Sequence, residues 1–142
     1  MDATKHPNIV TETVVLTESE FKRYPQVDKN VSLNCEFSYR KELINDKNGQ
    51  AFLTACITGA NKANDEIAFE ISCTFAGKYR IDKEPNMEMQ KFLDEYAPAH
   101  LFPYIREYIN SISMRAGIPP VILPPLNILV LLKLDKKITK QD

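Results

Sequence analysis

The chain has 142 residues, of which 44% are hydrophobic and 26% are charged, and its formal net charge is −1. We expect a single domain over residues 1–142, with short flexible termini at about 1–8 and 136–142, because this length is enough for one apolar core and too short for two. The near-zero charge excludes the strongly basic surface that nucleic-acid binding usually requires, so no nucleic-acid partner is expected.

The cysteines and the apolar segments indicate the compartment. Cys35, Cys56 and Cys73 lack the spacing of a zinc site or a disulfide framework, which predicts reduced thiols and no bound metal. The N-terminus, MDATKHPNIV, has no cationic region followed by an apolar one, so we expect no signal peptide. Prolines interrupt the most apolar region, residues 118–134, well before the roughly 20 residues of a membrane helix. These features favour a cytoplasmic protein that does not insert into membranes.

Alternation of apolar and polar residues predicts four strands in the first half of the chain. The pattern is clearest in VSLNCEFSYR, residues 31–40, where it indicates one buried and one solvated face. The other strands are expected over residues 10–23, 50–59 and 66–79. Short polar connections such as ANKANDE, residues 60–66, favour antiparallel pairing. The prediction is a four-stranded antiparallel sheet.

The second half changes to helical spacing. A short helix is expected over residues 87–96, ended by Pro98, and a longer one over residues 99–116. Pro103 is placed in the first turn of the longer helix, where its missing N–H needs no partner, and Gly117 ends that helix. Asn127 is expected to cap a final helix over residues 128–134. The predicted fold class is therefore α+β, with two or three helices in the C-terminal half.

The longer helix has a wide apolar arc made of two seams. One seam is formed by Phe102, Ile105, Ile109, Ile112 and Ala116, and the other by Leu101, Tyr104 and Tyr108. The row through Arg106, Asn110 and Ser113 is expected to face solvent. A single sheet covers one stripe, so the second seam is predicted to pack either against another subunit or against the short helix or the C-terminal segment of the same chain.

The segment GIPPVILPPLN joins the long helix to the final one. Its four prolines predict a stiff extended arm that carries Ile122 and Leu123 and cannot join a central strand. The final helix is apolar on nearly every side, so either the core covers it or it leaves an exposed patch that binds a partner.

Patterns that would indicate catalysis are absent from the sequence. There is no glycine-rich phosphate loop, no GxSxG motif and no cluster with metal-ligand spacing. His6 and His100 lie far apart, and Asp65 and Glu66 have the surroundings of a solvated turn. We therefore expect neither an enzyme nor a cofactor.

Two motifs carry a resemblance to a known family. LFPYIREYINS, residues 101–111, is followed by IPPVILPPLN, residues 118–127, and this combination resembles the SecB family of bacterial export chaperones. The resemblance implies an α+β fold assembled as a homotetramer, a dimer of dimers, with the long helices sandwiched between two sheets. It also implies an ATP-independent holdase that binds unfolded or precursor polypeptides along apolar grooves.

The resemblance and the apolar pattern together predict two sets of site residues. The expected oligomer interface consists of Ile71, Cys73, Phe75, Phe102, Ile105, Tyr108, Ile109 and Ile112. The expected client-binding residues are Phe21, Tyr24 and Val27 near the link between the first two strands, Ile122 and Leu123 of the arm, and Leu126, Leu129 and Leu132 near the final helix.

Some features depart from the family pattern. The link KRYPQVDKN is short and the chain has no Trp, and Ser72 stands where members that deliver clients to the motor SecA tend to carry an acidic residue. The resemblance therefore supports chaperoning more than coupling to SecA. Two functions stay open: a general holdase for preproteins of Sec export, and a SecB-like chaperone dedicated to one partner, such as the antitoxin of a toxin-antitoxin system.

Overall fold

Four long strands form one antiparallel sheet, which confirms the predicted fold class. The computed structural model describes residues 8–83, 87–123 and 127–132. The strands are β1 (Ile9–Arg23), β2 (Val31–Asn45), β3 (Asn48–Asn61) and β4 (Ile67–Ile81). Their order in the sheet is β1-β4-β3-β2, so β1 and β2 are the edges. Residues 24–30, here called the crossover, carry the chain from one edge to the other.

The two central strands bury one face of the sheet. Residues that pair across antiparallel strands share a face, and the registers join Ile57 to Ile71 and Leu53 to Phe75. All four side chains are buried. Phe75 contacts the rings of Tyr104 and Tyr108, with ring centroids 6.0 Å apart in both pairs, so this face carries the helices.

Two helices cover that face. The first is α1 (Met89–Glu95) and the second is α2 (Ala97–Arg115), and residues 128–132 form a further short helical segment. α2 packs on β3 and β4, while α1 packs on β2, β3 and α2. Gly49 allows the close approach of α1, because a Cβ at this position would lie 2.8 Å from Cδ1 of Leu93.

The start of α2 differs from the prediction. The helix begins at Ala97, so Pro98 occupies its first turn instead of ending α1, and Pro103 lies inside the helix. The predicted role of Pro103 therefore belongs to Pro98, whose missing N–H falls among the first groups of the helix that have no intrahelical partner. The predicted end is confirmed. Gly117 has φ +65°, and its N–H and that of Ile118 bond back to the carbonyls of Met114 and Ser113.

β2 is much more exposed than its alternating pattern predicts. Of the inward-facing residues Val31, Leu33, Cys35, Phe37 and Tyr39, only Phe37 is buried. The reason is that α2 lies over the central strands and reaches β2 through a contact between the rings of Phe102 and Phe37, 5.8 Å apart. The helices cover this edge strand only in part, so some of its apolar side chains stay in solvent.

Candidate functional site

The C-terminal end of α2 lies beside the end of β1. Arg23 Nε donates to the carbonyl oxygen of Ala116 at 3.2 Å, and the crossover begins at the next residue. The chain leaves α2 at the same place, where residues 117–123 form the arm. The crossover and the arm therefore start at one corner of the molecule, although their first residues are far apart in the chain.

This corner lies at one end of a row that crosses the whole sheet. The registers place Arg23, Phe69, Gly59 and Leu33 opposite one another on β1, β4, β3 and β2. We call this part of the molecule, with the crossover and the arm, the crossover end. Leu33 is 44% exposed on the face that carries the helices, and its cross-strand neighbour is Gly59.

One buried side chain attaches the crossover to the sheet. Asn61, at the end of β3, is 1% exposed. Its Oδ1 accepts from the backbone N–H of Asp28 at 2.9 Å, and its Nδ2 donates to the carbonyl oxygen of Gln26 at 3.1 Å. A buried amide that uses both its donor and its acceptor in this way defines the path of the segment it contacts.

The structure does not bring the three residues predicted near the crossover together. Phe21 belongs to β1 and lies on the helix side, opposite Ile71. The hydroxyl of Tyr24 donates to Glu70 at 3.0 Å, which puts its side chain over the other face of the sheet. Val27 packs against the core. Tyr24 is therefore separated from any groove on the helix side, because successive side chains point to opposite faces and Arg23 before it lies on the helix side.

The arm presents alternate side chains to the core and to solvent. Val121 and Leu123 are buried, and Ile122 between them is 71% exposed. The prediction grouped Ile122 with Leu123, but Leu123 is 4% exposed and is covered by its own chain. Ser113, predicted to face solvent, is also buried, and its Oγ accepts from the N–H of Val121 at 3.1 Å. The arm lies on α2 at this position, which explains why Leu123 and Ser113 are both buried.

The final helical segment starts as the sequence predicted. The backbone N–H groups of Val130 and Leu131 bond to the carbonyl of Asn127, which precedes the segment. Leu132 is buried and Leu129 is half-buried, so the core covers much of this segment. Leu126, another predicted client-binding residue, lies outside the described residues.

Exposed apolar side chains from four elements lie toward the crossover end, one on each edge strand, one on α2 and one on the arm. We call this group the crossover-end surface, and it consists of Phe21, Leu33, Met114 and Ile122. Leu33 and Met114 were not among the predicted client-binding residues. Leu33 alternates with polar residues as a buried residue would, so its sequence context carries no signal of its exposure. Apolar side chains left in solvent at one place are typical of an interaction site.

The predicted oligomer interface is mostly interior to the chain. Six of its eight residues are buried between the sheet and α2, namely Ile71, Cys73, Phe75, Phe102, Ile105 and Ile109. These six do not reach the surface, because the chain's own sheet covers the first seam of α2. A second apolar surface remains where α2 lies beside β1. It is formed by Leu16, Tyr104 and Tyr108, and the Tyr108 hydroxyl bonds to Ser19 of β1.

The ionisable side chains in the interior pack against other side chains of the core. His100 Nδ1 and the Tyr79 hydroxyl lie 2.9 Å apart, and burial lowers the pKa of His100 and raises the pKa of Tyr79. Burial also raises the pKa of Cys73 to about 12. Among residues 8–83, 87–123 and 127–132, no group of three or more His, Cys, Asp or Glu side chains is placed to hold a metal ion.

The similarity of this chain to known proteins extends over most of its length. The family model described as preprotein translocase subunit SecB matches residues 13–137. The chain belongs to the SecB family. A protein-export protein SecB from Nitrosomonas eutropha is 32% identical over 128 residues, which are 87% of this chain and 80% of that protein. An uncharacterized protein from Methanocaldococcus jannaschii is 28% identical over 127 residues, 89% of this chain and 80% of that protein.

A solved structure has the same fold. It is the SecB-like chaperone Rv1957 of Mycobacterium tuberculosis, in complex with a ChAD peptide from the HigA1 antitoxin. The match has a TM-score of 0.73 at 17% identity and covers 84% of this chain and 91% of that chain. The SecB resemblance of the two sequence motifs is thus confirmed. In the part of the chain that the structure describes, neither α1 nor α2 has the length and hydropathy needed to cross a bilayer.

Proposed function

We propose that this SecB-family protein is an ATP-independent holdase that binds unfolded polypeptides at the crossover-end surface. The observation that carries the proposal is the exposure of Phe21, Leu33, Met114 and Ile122 at one end of the sheet, on the side that carries the helices. Their backbone is held by strands, by α2 and by the arm, so little conformational entropy is lost when a client docks. Apolar contact with little sequence preference is what a holdase requires.

The clients we propose are preproteins that await Sec export, and the proposed location is the cytoplasm. The family and the N. eutropha relative support this choice. A chaperone dedicated to one partner, such as an antitoxin, is the second candidate, supported by the fold shared with the M. tuberculosis chaperone. Ser72 on β4 makes coupling to SecA the weakest part of the first candidate. Several unrelated unfolded proteins should compete for binding in the first case, and a single partner should dominate in the second.

We further propose that the chains assemble as a homotetramer, a dimer of dimers, in which the surface formed by Leu16, Tyr104 and Tyr108 is one of the interfaces. Aromatic side chains that are half in solvent supply large contact areas at interfaces. Tyr104 and Tyr108 rest on Phe75, so their rings are already ordered before a partner arrives.

Adjacent residues of the arm provide the test of the holdase proposal. Ile122→Ser should reduce suppression of the aggregation of a chemically denatured client several-fold, because Ile122 is exposed, and it should leave the melting temperature unchanged. Leu123→Ser should instead lower the melting temperature, since loss of a buried leucine costs about 2–5 kcal/mol. Light scattering of the client and thermal unfolding of the chaperone measure the two effects.

Ile44→Ser is the matched control. Ile44 is also an exposed isoleucine, but it lies near the opposite end of β2. The control should keep full holdase activity. A Leu33→Ser variant tests a second residue of the crossover-end surface. Full holdase activity in both the Ile122→Ser and Leu33→Ser variants would show that this surface does not bind clients. A loss of holdase activity in the Ile44→Ser variant equal to that of Ile122→Ser would show the same.

A further inference from the structure

Ser113 is a polar side chain enclosed between the last turns of α2 and the arm. It is 0% exposed. Its hydroxyl donates to the carbonyl oxygen of Asn110 at 2.8 Å and accepts from the backbone N–H of Val121 at 3.1 Å. Both bonds have fixed directions, because a carbonyl only accepts and an amide N–H only donates.

Besides the packing of its buried side chains, the arm has few other hydrogen bonds to the rest of the chain. Pro119 and Pro120 have no N–H to donate. Among the hydrogen bonds of the described residues, the one between Val121 and Ser113 is the only bond that joins residues 119–123 to the rest of the chain. Removal of the Ser113 oxygen would leave the buried N–H of Val121 without a partner, a loss greater than that of an exposed bond.

This bond sets which side chain of the arm faces outward. In an extended segment, successive side chains point in opposite directions, so burial of Val121 and Leu123 requires exposure of Ile122. A slip of the arm by one residue would reverse this pattern. We propose that Ser113 is a positioning residue for client binding, which acts by holding the arm in the register that presents Ile122.

The inference rests on the proposed function and is tested with the full chain. Ser113→Ala removes the oxygen that accepts the bond from Val121. Ser113→Cys replaces that oxygen with sulfur, which is a much weaker acceptor. Ser111→Ala is the control, because Ser111 is a half-exposed serine on the same helix. The client is reduced, carboxymethylated α-lactalbumin, which stays unfolded. Its dissociation constant and the exchange rate of the Val121 amide are measured well below the melting temperature.

Both Ser113 variants should speed exchange of the Val121 amide at least tenfold and weaken client binding about five-fold or more, while Ser111→Ala changes neither. The Ile122→Ser background separates positioning from general destabilisation. If Ser113 acts through Ile122, Ser113→Ala should weaken binding little further in that background, because the two effects are not additive.

The results that overturn the inference differ from those that overturn the proposed function. Unchanged client binding in both Ser113 variants overturns the inference, as does a full further loss in the Ile122→Ser background. Failure of the unsubstituted chain to bind the client overturns the proposed function and the positioning role with it, whatever the exchange rate of the Val121 amide.

Discussion

Replacement of Asn61 by alanine should destabilise the protein at the crossover. The substitution removes two hydrogen bonds, one to the N–H of Asp28 and one to the carbonyl of Gln26. Each such bond contributes about 1 kcal/mol net, and a buried polar group left without a partner costs about 1–3 kcal/mol more. Both bonds are only partly buried, so water relieves some of that cost. We expect a loss of about 2–3 kcal/mol in the free energy of unfolding.

Urea unfolding at a fixed protein concentration is the assay, because association would couple stability to concentration. With a slope of about 2 kcal/mol per molar urea, the unfolding midpoint should fall by about 1 M or slightly more. The control is Asn64→Ala. Asn64 is exposed and accepts from the N–H of Glu66 at 3.0 Å within a turn, so its loss should cost less than about 0.5 kcal/mol.

Hydrogen exchange adds a local measurement. The amide of Asp28 should exchange faster in the Asn61→Ala variant even when most molecules are folded, since its acceptor has been removed. An unfolding free energy within about 0.5 kcal/mol of the unsubstituted value, together with unchanged exchange at Asp28, would refute the argument that Asn61 holds the crossover.

Four further outcomes are expected. Phe75→Asp should unfold the chain or lower its melting temperature by about 10 °C or more, because it buries an unpaired charge between β4 and α2, and unchanged melting would contradict that placement. Sedimentation should give four times the 16.2 kDa chain mass, and a monomer at micromolar concentration would rule out the proposed assembly. Unfolding free energy should decrease as the pH falls below about 6.5, because burial lowers the pKa of His100 and the unfolded chain then binds a proton that the folded chain does not. His100→Asn should lose that part of the pH dependence, and an identical profile would exclude His100 as its source. A thiol reagent should label exposed Cys56 in the folded protein and spare buried Cys73, and equal rates would contradict the facing of β3 and β4.

Patterns of apolar and polar residues within short windows of the sequence are sufficient to predict the architecture of this protein. Alternation over residues 66–79 and the helical spacing after residue 87 are properties of short windows, and they predicted the sheet, both helices and the end of α2 at Gly117. The two motifs in residues 101–127 indicated the family for the same reason, since they are contiguous in the chain. The prediction was wrong at the start of α2, where Pro98 and Pro103 are both acceptable first-turn residues and the structure leaves only Tyr96 between α1 and α2.

The tertiary structure alone decided which residues form the candidate site. Ile122 and Leu123 are neighbouring apolar residues within one proline-flanked run, and no local pattern distinguishes the exposed one from the buried one. The difference arises because the arm folds back onto α2, where the N–H of Val121 bonds to Ser113 and the side chains of Val121 and Leu123 are buried. Val27 and Tyr24 are separated by contacts with equally distant residues, since Asn61 bonds to the residues on both sides of Val27 and Glu70 bonds to Tyr24. Contacts of this kind depend on strand register and helix packing between distant segments, and a short window of sequence contains only one of the two partners.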